Sequence, residues 1–189
     1  DIIDLELEKV EQIIRKIAED PEDEDIRRVE LELWKKNRTK AQKGRRTGLG
    51  ITAEGDMLAA LRLRYGTDEA IAFAVEVQKT LALAAYGASV GMAAERGAFP
   101  VYDARREQDN PMIARIREAD PALYERMVRD GRRNIAMLTI APTGTTSLMS
   151  QTTSGIEPVF RTVYKRRRKL NPSAQDTHVD FIAAPGEKF

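Results

Sequence analysis

The residues best suited to chemistry in this sequence follow a short apolar run that ends at Pro142. Pro142 suits a helix start, because the first N–H groups of a helix have no partner and a proline there loses nothing. The unpaired N–H groups that follow, together with the helix dipole, would favour an anion. The threonines can add hydroxyl donors, and Gly144 lets a phosphate approach the backbone. The predicted phosphate-binding residues are Pro142, Thr143, Gly144, Thr145 and Thr146.

An ordinary capped helix is the alternative interpretation of this segment, since threonine is common where helices begin. The segment is not the phosphate loop of nucleoside triphosphatases, because no G-x-x-x-x-G-K-[ST] motif occurs and no lysine lies within it. On the residues alone, both the phosphate site and the simple cap stay open.

A second candidate group lies in the "TSGIEP" that follows. Pro158 restricts Glu157 to an extended or turn conformation. Glu157 could then face a ligand hydroxyl, with Gly155 beside it in the wall of the site, or it could pair with an arginine. We predict no catalytic residue and no metal ligand in this chain.

The elements that precede this segment are mostly predicted helices. Apolar residues at helical spacing indicate a helix before Pro21 and another from about Asp25, which bears Val29, Leu33 and Trp34 on its apolar face. Together they predict an amphipathic helical hairpin over residues 1–42. The basic run from residue 35 to 46 is typical of a solvated helix end.

Further along, "GRRTGLGIT" predicts a short β-like run in which glycines allow close approach of a backbone or ligand. A short helix follows, and then a long one with Thr67 as N-cap and Gly97 as C-cap. Gly87 and Gly91 inside it indicate close packing or a non-natural change of sequence. After a loop comes a helix pair, from Pro111 to about Ala119 and from Pro121 to about Asp130. Its predicted inward residues are Ile113, Ile116, Leu123, Met127 and Val128.

The apolar run from Ile135 to Ile140 predicts a strand covered on both faces. A last strand is predicted in "EPVFRTVYKRRRK", with Val159, Arg161, Val163 and Lys165 alternating, and the tail from Asn171 is predicted to be loop. Strands separated by helices put the chain in the α/β class.

Composition excludes several classes of function. The 189 residues carry 31 basic and 30 acidic side chains, a net charge of +1, so general attraction to nucleic acid or membrane is not implied. No run approaches the roughly 20 apolar residues that span a bilayer, and no signal segment opens the chain, which predicts a cytoplasmic protein. The chain has no cysteine and one histidine, His178, in its polar tail. Lys165–Lys169 could attract polyanions, or simply face solvent.

Four segments, "RRTGLGIT", "ERGAFP", "RRNIAMLTIAPTGTTSLMSQTTSGIEPVF" and "YKRRRKLNP", resemble in order and spacing the large catalytic subunit of ribonucleotide reductase. The likeness is greatest to the adenosylcobalamin-dependent class II branch. It implies a ten-stranded α/β barrel that holds a ribonucleotide, with the residues matching 142–146 at the substrate phosphates. The domains expected from it are the hairpin of residues 1–42, a C-terminal part of the barrel over 43–172, and a polar tail over 173–189.

The resemblance also implies a reaction, the radical removal of the ribose 2′-hydroxyl, which uses cysteines that this chain lacks. We therefore expect a helix-rich, incomplete barrel, taken from a longer protein or supplied as one half of a split enzyme, and inactive alone. Its expected partners are a ribonucleotide and either the missing N-terminal part of the barrel or a second copy. A non-catalytic nucleotide-binding or structural module derived from the barrel is the alternative. Glu54 departs from the family pattern, which has an apolar residue there.

Overall fold

A two-helix hairpin opens the chain in a computed structural model that describes residues 2–161, 163, 182–184 and 187–188. Helix α1, Ile2–Ala18, packs along α2, Glu24–Gly44, and buries Ile3, Val10 and Ile17. The side chain of Asp23 caps α2 by accepting from the N–H of Asp25. The predicted hairpin is confirmed.

The predicted apolar face of α2 is partly wrong. Val29 and Leu33 are more than half exposed, whereas Leu31 and Trp34 are half-buried. The half-buried positions of α2 recur every three or four residues, as the side of a helix lying against a neighbour does.

Five further helices lie between residues 54 and 150: α3, Glu54–Ala60; α4, Asp68–Arg96; α5, Pro111–Ala119; α6, Pro121–Asp130; and α7, Gly144–Ser150. A short 3₁₀ helix, Ala104–Glu107, interrupts the loop between α4 and α5. Thr67 and Gly97 cap α4 as predicted, and the α5–α6 pair has its predicted bounds. Caps and prolines act locally, so the sequence determines these ends well.

The core lies where α4, α5 and α6 meet Met137. Four of the five predicted inward residues of the α5–α6 pair are buried, but Val128 is 46% exposed, so that prediction was wrong. The remaining buried members of the cluster are Tyr86, Val90 and Met137. Gly87 and Gly91 are not explained by close packing, because a Cβ on either would have no atom within 4 Å among the residues around it.

The predicted strand from Ile135 to Ile140 is not formed as a strand. It contains one isolated parallel bridge, between Leu49 and Leu138. The N–H of Leu49 donates to Met137 O at 2.6 Å, and the N–H of Thr139 donates to Leu49 O at 3.0 Å. Among the described residues, only the "GRRTGLGIT" run pairs with this segment, and it does so along one edge. A covered strand needs a neighbour on each edge. The predicted partial α/β barrel is therefore not confirmed among the described residues, which are rich in helix.

The predicted close approach at the glycine run is confirmed. A Cβ on Gly50 would lie 2.5 Å from Thr139 O, and one on Gly48 would lie 2.9 Å from Thr139 Cγ2. Contacts this short do not occur for a real Cβ, so neither position accepts a side chain without moving the 135–140 segment.

Two predictions for the C-terminal part of the chain differ from the structure. Residues 157–161 and 163 form no strand, and Lys165, with the rest of the predicted last strand, lies outside the described residues. The tail was predicted to be loop, but β1, Ile182–Ala184, and β2, Glu187–Lys188, pair antiparallel. The sequence between them is Pro-Gly, which is typical of turns and could have indicated a hairpin. Within the described part of the chain, no helix is long and apolar enough to cross a membrane.

Candidate phosphate-binding site

Helix α7 begins at Gly144, two residues after Pro142, and so lies where the sequence predicts a helix. Thr143, before it, adopts the left-handed conformation, with φ 37° and ψ 32°, and its side chain makes no cap to the helix. The alternative interpretation, an ordinary cap in which the threonine hydroxyl accepts from the first turn, therefore does not hold for Thr143.

The hydroxyl of Thr143 instead binds two neighbouring loops. It accepts from the backbone N–H of Gly155 at 2.7 Å and lies 3.2 Å from the hydroxyl of Thr52. Thr52 donates its single hydroxyl hydrogen to Thr153 O at 2.8 Å. Thr143 must therefore donate to Thr52, because each hydroxyl has one hydrogen. The Thr143 hydroxyl thus has no hydrogen left for a phosphate, and it positions the loops around α7.

The first turn of α7 leaves its N–H groups free. No hydrogen bond among the described residues uses the backbone N–H of Gly144, Thr145 or Thr146, and the three residues are exposed. The hydroxyls of Thr145 and Thr146 are likewise in no such bond. A Cβ on Gly144 would meet nothing within 4 Å, so the space in front of this turn is open. These donors can face an anion together.

Three further contacts fix the loop that follows α7 to the start of α3. The N–H groups of Ala53 and Glu54 donate to Thr153 O and Gly155 O, at 3.1 and 3.3 Å. Asp56 accepts from the N–H of Thr153 at 2.8 Å. Sequence reasoning missed Thr52, Asp56 and Thr153. Thr52 and Asp56 follow the glycine run in the sequence, and Thr153 lies in the hydroxyl-rich segment. Nothing in the spacing of these two segments indicates that they are in contact.

Gly155 and Glu157, the residues predicted for the wall of the site, lie together. Gly155 has φ 52°, and a Cβ there would be 2.8 Å from Glu157 Oε2 and 3.2 Å from Ala141 O. Glu157 is exposed and forms no ion pair with any described arginine, so its proposed pairing with an arginine finds no partner in this part of the chain. The backbone of this segment also packs against α3, because a Cβ on Gly55 would lie within 2.7 Å of both Glu157 O and the Cα of Pro158.

A buried arginine anchors the segment that leads into the site. Arg132 is 2% exposed; its guanidinium donates to both carboxylate oxygens of Glu107 and to the backbone O atoms of Asn134 and Ile135. The rings of Tyr86, Phe99 and Tyr102 lie 5.4 to 5.7 Å from it. Burial raises the pKa of both tyrosine phenols, and the charge of Arg132 opposes that rise. Sequence reasoning missed this arginine, because its partner lies 25 residues away.

The same segment is held by buried side chains of α4 and the end of α2. Ser89 donates to Asn134 Oδ1 at 3.0 Å, and Asn134 Nδ2 donates to Arg45 O at 2.9 Å. The chain between Arg132 and Pro142 is therefore held at its beginning by side chains and, over residues 135–139, by backbone hydrogen bonds to Gly44, Thr47 and Leu49.

Comparison with known proteins identifies the family. The family model described as the ribonucleotide reductase barrel domain matches residues 25–181. This chain belongs to the ribonucleotide reductase family.

Curated relatives agree with this assignment. A vitamin B12-dependent ribonucleoside-diphosphate reductase of Mycobacterium tuberculosis (strain CDC 1551 / Oshkosh) is 35% identical over 127 residues, 67% of this chain and 16% of the relative. A reductase of the same description from Thermoplasma acidophilum is 31% identical over 65% of this chain and 14% of its own length. The ribonucleoside-diphosphate reductase large subunit of Danio rerio is 27% identical over 64% of this chain and 16% of its own. The chain thus spans 14% to 16% of the length of these relatives.

Proposed function

We propose that this chain supplies the part of a ribonucleotide reductase that holds the substrate phosphates at the start of α7. The whole enzyme would convert ribonucleotides to deoxyribonucleotides by radical chemistry. The observation that supports the proposal is the set of three exposed N–H groups, at Gly144, Thr145 and Thr146, with no partner among the described residues. Such groups are available to an anion, and a phosphate carries several oxygens that can accept from them together.

The division of work among the predicted residues follows from their bonds. Thr145 and Thr146 are the candidate hydroxyl ligands, and Gly144 provides access. Thr143 is a positioning residue, since its hydroxyl is bonded to Gly155 and Thr52. Pro142 precedes Thr143, the residue before the helix, and has no N–H to offer. Glu157 and Gly155 would form the adjacent wall, where the carboxylate could accept from a ribose hydroxyl.

The reaction itself would need groups from outside this chain. The chain has no cysteine, so it cannot supply a thiyl radical or a redox-active thiol pair. Two of the relatives are named as vitamin B12-dependent, which supports adenosylcobalamin as the radical source of the whole enzyme. Among the described residues, no group of three or more His, Asp or Glu side chains could hold a metal ion.

The second candidate function is a non-catalytic nucleotide-binding or structural module derived from the barrel. The absence of cysteine favours it as strongly as it favours a split enzyme. The two differ in what an accompanying polypeptide would do. A chain that supplies the cysteine-bearing part of the barrel should restore nucleotide reduction in a split enzyme, with adenosylcobalamin and a thiol present, and should leave a binding module inactive.

Binding of phosphate is tested separately from reduction. Calorimetric titration with a ribonucleoside diphosphate and with the triphosphate should give saturable binding, and Thr145→Val or Thr146→Val should weaken it about tenfold or more, as loss of a hydrogen bond to a charged group does. Thr39→Val, the same substitution made in α2, is the matched control. Equal affinity for all four proteins would refute the assignment of these hydroxyls.

A further inference from the structure

Helix α2 has an exposed apolar stripe on the side that faces away from α1. Ile26, Val29 and Leu33, here called the α2 stripe, are each more than half exposed. Their spacing of three and four residues places them on one side of the helix. The side that faces α1 carries Arg38, whose guanidinium pairs with Glu11 of α1. Leu33 and Arg38 lie about 140° apart around the helix axis, so the hairpin leaves the α2 stripe in solvent.

The α2 stripe continues in the spacing of a coiled coil. Beyond Leu33, the same side of the helix carries Lys36 and Lys40, so the steps from Ile26 onward alternate between three and four residues. A repeat of 3.5 residues is the pattern with which two helices pair side by side. The two lysines can lay their methylene stems along a partner helix while their ammonium groups stay in water. This side of α2 therefore has the pattern of a helix-pairing surface.

Charge divides the same helix into two halves. Residues 22–34 contain six acidic side chains and two basic ones, Arg27 and Arg28, whereas residues 35–44 contain five basic side chains and no acidic one. Two copies of α2 side by side in the same direction would place like charges together. In opposite directions, the acidic half of each copy lies along the basic half of the other. The surface is therefore complementary to a second copy of itself in the antiparallel direction.

We propose that two copies of this chain associate through the α2 stripe, with their α2 helices antiparallel about a two-fold axis near residue 31. Such an interface is self-complementary, since each contact occurs twice. Val29 packs against Leu33 of the second copy, and Leu33 packs against its Val29. Ile26 lies beneath the methylene stem of Lys36 of the second copy. The apolar side chains of both copies then form one continuous layer between the helices.

Ion pairs near the ends of this layer complete the contact. The ammonium of Lys36 reaches Asp25 of the second copy, and the same pair forms again across the axis. In the single chain, Asp25 pairs with Arg28 at 2.9 Å and Lys36 with Glu32 at 3.6 Å, both exposed and within α2. Exposed pairs of this kind contribute little to stability, so their exchange for pairs across the contact costs little.

The expected association is weak. A helix pair of about four turns is smaller than the standard interface of about 800 Å² per partner. The axis also brings Glu30 and Glu32 of the two copies near each other, which opposes association. We therefore expect a dimer that dissociates on dilution. The α2 stripe shares no residue with the predicted phosphate site, so the proposal does not depend on phosphate binding.

Sedimentation equilibrium of the full chain over a wide range of protein concentration tests the contact. The native chain should pass from monomer to dimer as the concentration rises. Leu33→Glu should raise the dissociation constant about tenfold or more, because it places a carboxylate in the apolar layer. Leu5→Glu, at a similarly exposed apolar position of α1, is the matched control and should dimerise as the native chain does. Circular dichroism checks that both variants keep their helix content.

Two further measurements test the charges and the direction. A variant with Asp25→Lys and Glu30→Lys, and a second with Lys36→Glu and Lys40→Glu, should each dimerise poorly alone and associate when mixed. The chain has no cysteine, so Lys43→Cys accepts a single spin label. Antiparallel helices should hold the two labels about 35–40 Å apart, whereas parallel ones would hold them at about the 10 Å between paired helices.

Four results would each overturn the proposal. They are a native chain that stays monomeric at every concentration, association that Leu33→Glu leaves unchanged, a mixture of the two charge variants that associates no better than either alone, and labels held at the short separation.

Discussion

The hydroxyl of Thr143 lies 2.7 Å from the backbone nitrogen of Gly155, twelve residues later, and accepts its hydrogen. With the bond to Thr52, this contact joins the start of α7 to the loops that follow α7 and precede α3. The threonine that begins the candidate site is therefore part of its framework.

Thr143→Val should destabilise the fold, because it leaves the N–H of Gly155 without an acceptor. We expect a loss of about 1–2 kcal/mol in the free energy of unfolding, measured with urea. Thr143→Ser keeps the hydroxyl and should lose much less. Thr145→Val is the matched control, because its hydroxyl is in no bond among the described residues; its stability should stay within about 0.5 kcal/mol of the native value. If Thr145→Val costs as much as Thr143→Val, the framework role of Thr143 is wrong.

Ala53→Gly should stabilise the protein. Ala53 has φ 67°, in the left-handed region where a Cβ costs about 1–2 kcal/mol. Glycine removes that cost but adds freedom to the unfolded chain, so the expected net gain is about 0.5–1 kcal/mol in thermal or urea unfolding. Ala72→Gly, at an exposed position inside α4, should instead cost about 1 kcal/mol. A loss of stability in Ala53→Gly would contradict the strain assigned to this turn.

Glu107→Gln should be strongly destabilising, because it leaves the buried guanidinium of Arg132 without its counter-charge. Breaking a buried ion pair in this way costs about 3–5 kcal/mol. The exposed pair of Arg129 and Asp130 is the control, and Arg129→Ala should change the free energy of unfolding by at most about 1 kcal/mol. Similar effects from both variants would show that burial of Arg132 does not govern its contribution.

Asp4 should make the stability of the hairpin depend on pH. A hydrogen bond from Arg45, at 2.7 Å, lowers the pKa of this carboxyl, and the charges of Arg45 and Arg133 lower it further against the effect of burial. A carboxyl whose pKa is lowered by folding stabilises the fold above its unfolded pKa of about 3.9 and loses this contribution as the pH falls through the folded value. The difference in stability between native protein and Asp4→Asn should therefore be greatest near pH 6–7 and vanish at acid pH. A difference that persists below pH 2 would contradict the ion pair.

Sequence reasoning predicted the helices well and the extended segments poorly. The capping residues of α4 and the prolines that begin α5 and α6 act within one helical turn. The neighbouring residues are therefore enough to predict where these helices begin and end. The 135–140 segment has the composition of a covered strand, but such a strand needs a neighbour on each side, and the described residues pair with it on one side only, through the 44–49 run.

The candidate site shows the same limit. The threonines and Gly144 were identified from their order in the chain, and α7 begins among them. Which threonine hydroxyl is already bonded within the protein depends on Thr52, 91 residues from Thr143, and no local pattern contains that contact.

The most direct test of the phosphate site is a titration of the ¹⁵N-labelled chain with a ribonucleoside diphosphate, followed by the amide signals of Gly144, Thr145 and Thr146. We expect these three amide signals to shift together and saturably, and we expect inorganic pyrophosphate to compete with the nucleotide. Saturable shifts elsewhere with these three signals unmoved, or no saturable shift at any amide, would contradict phosphate binding at the start of α7.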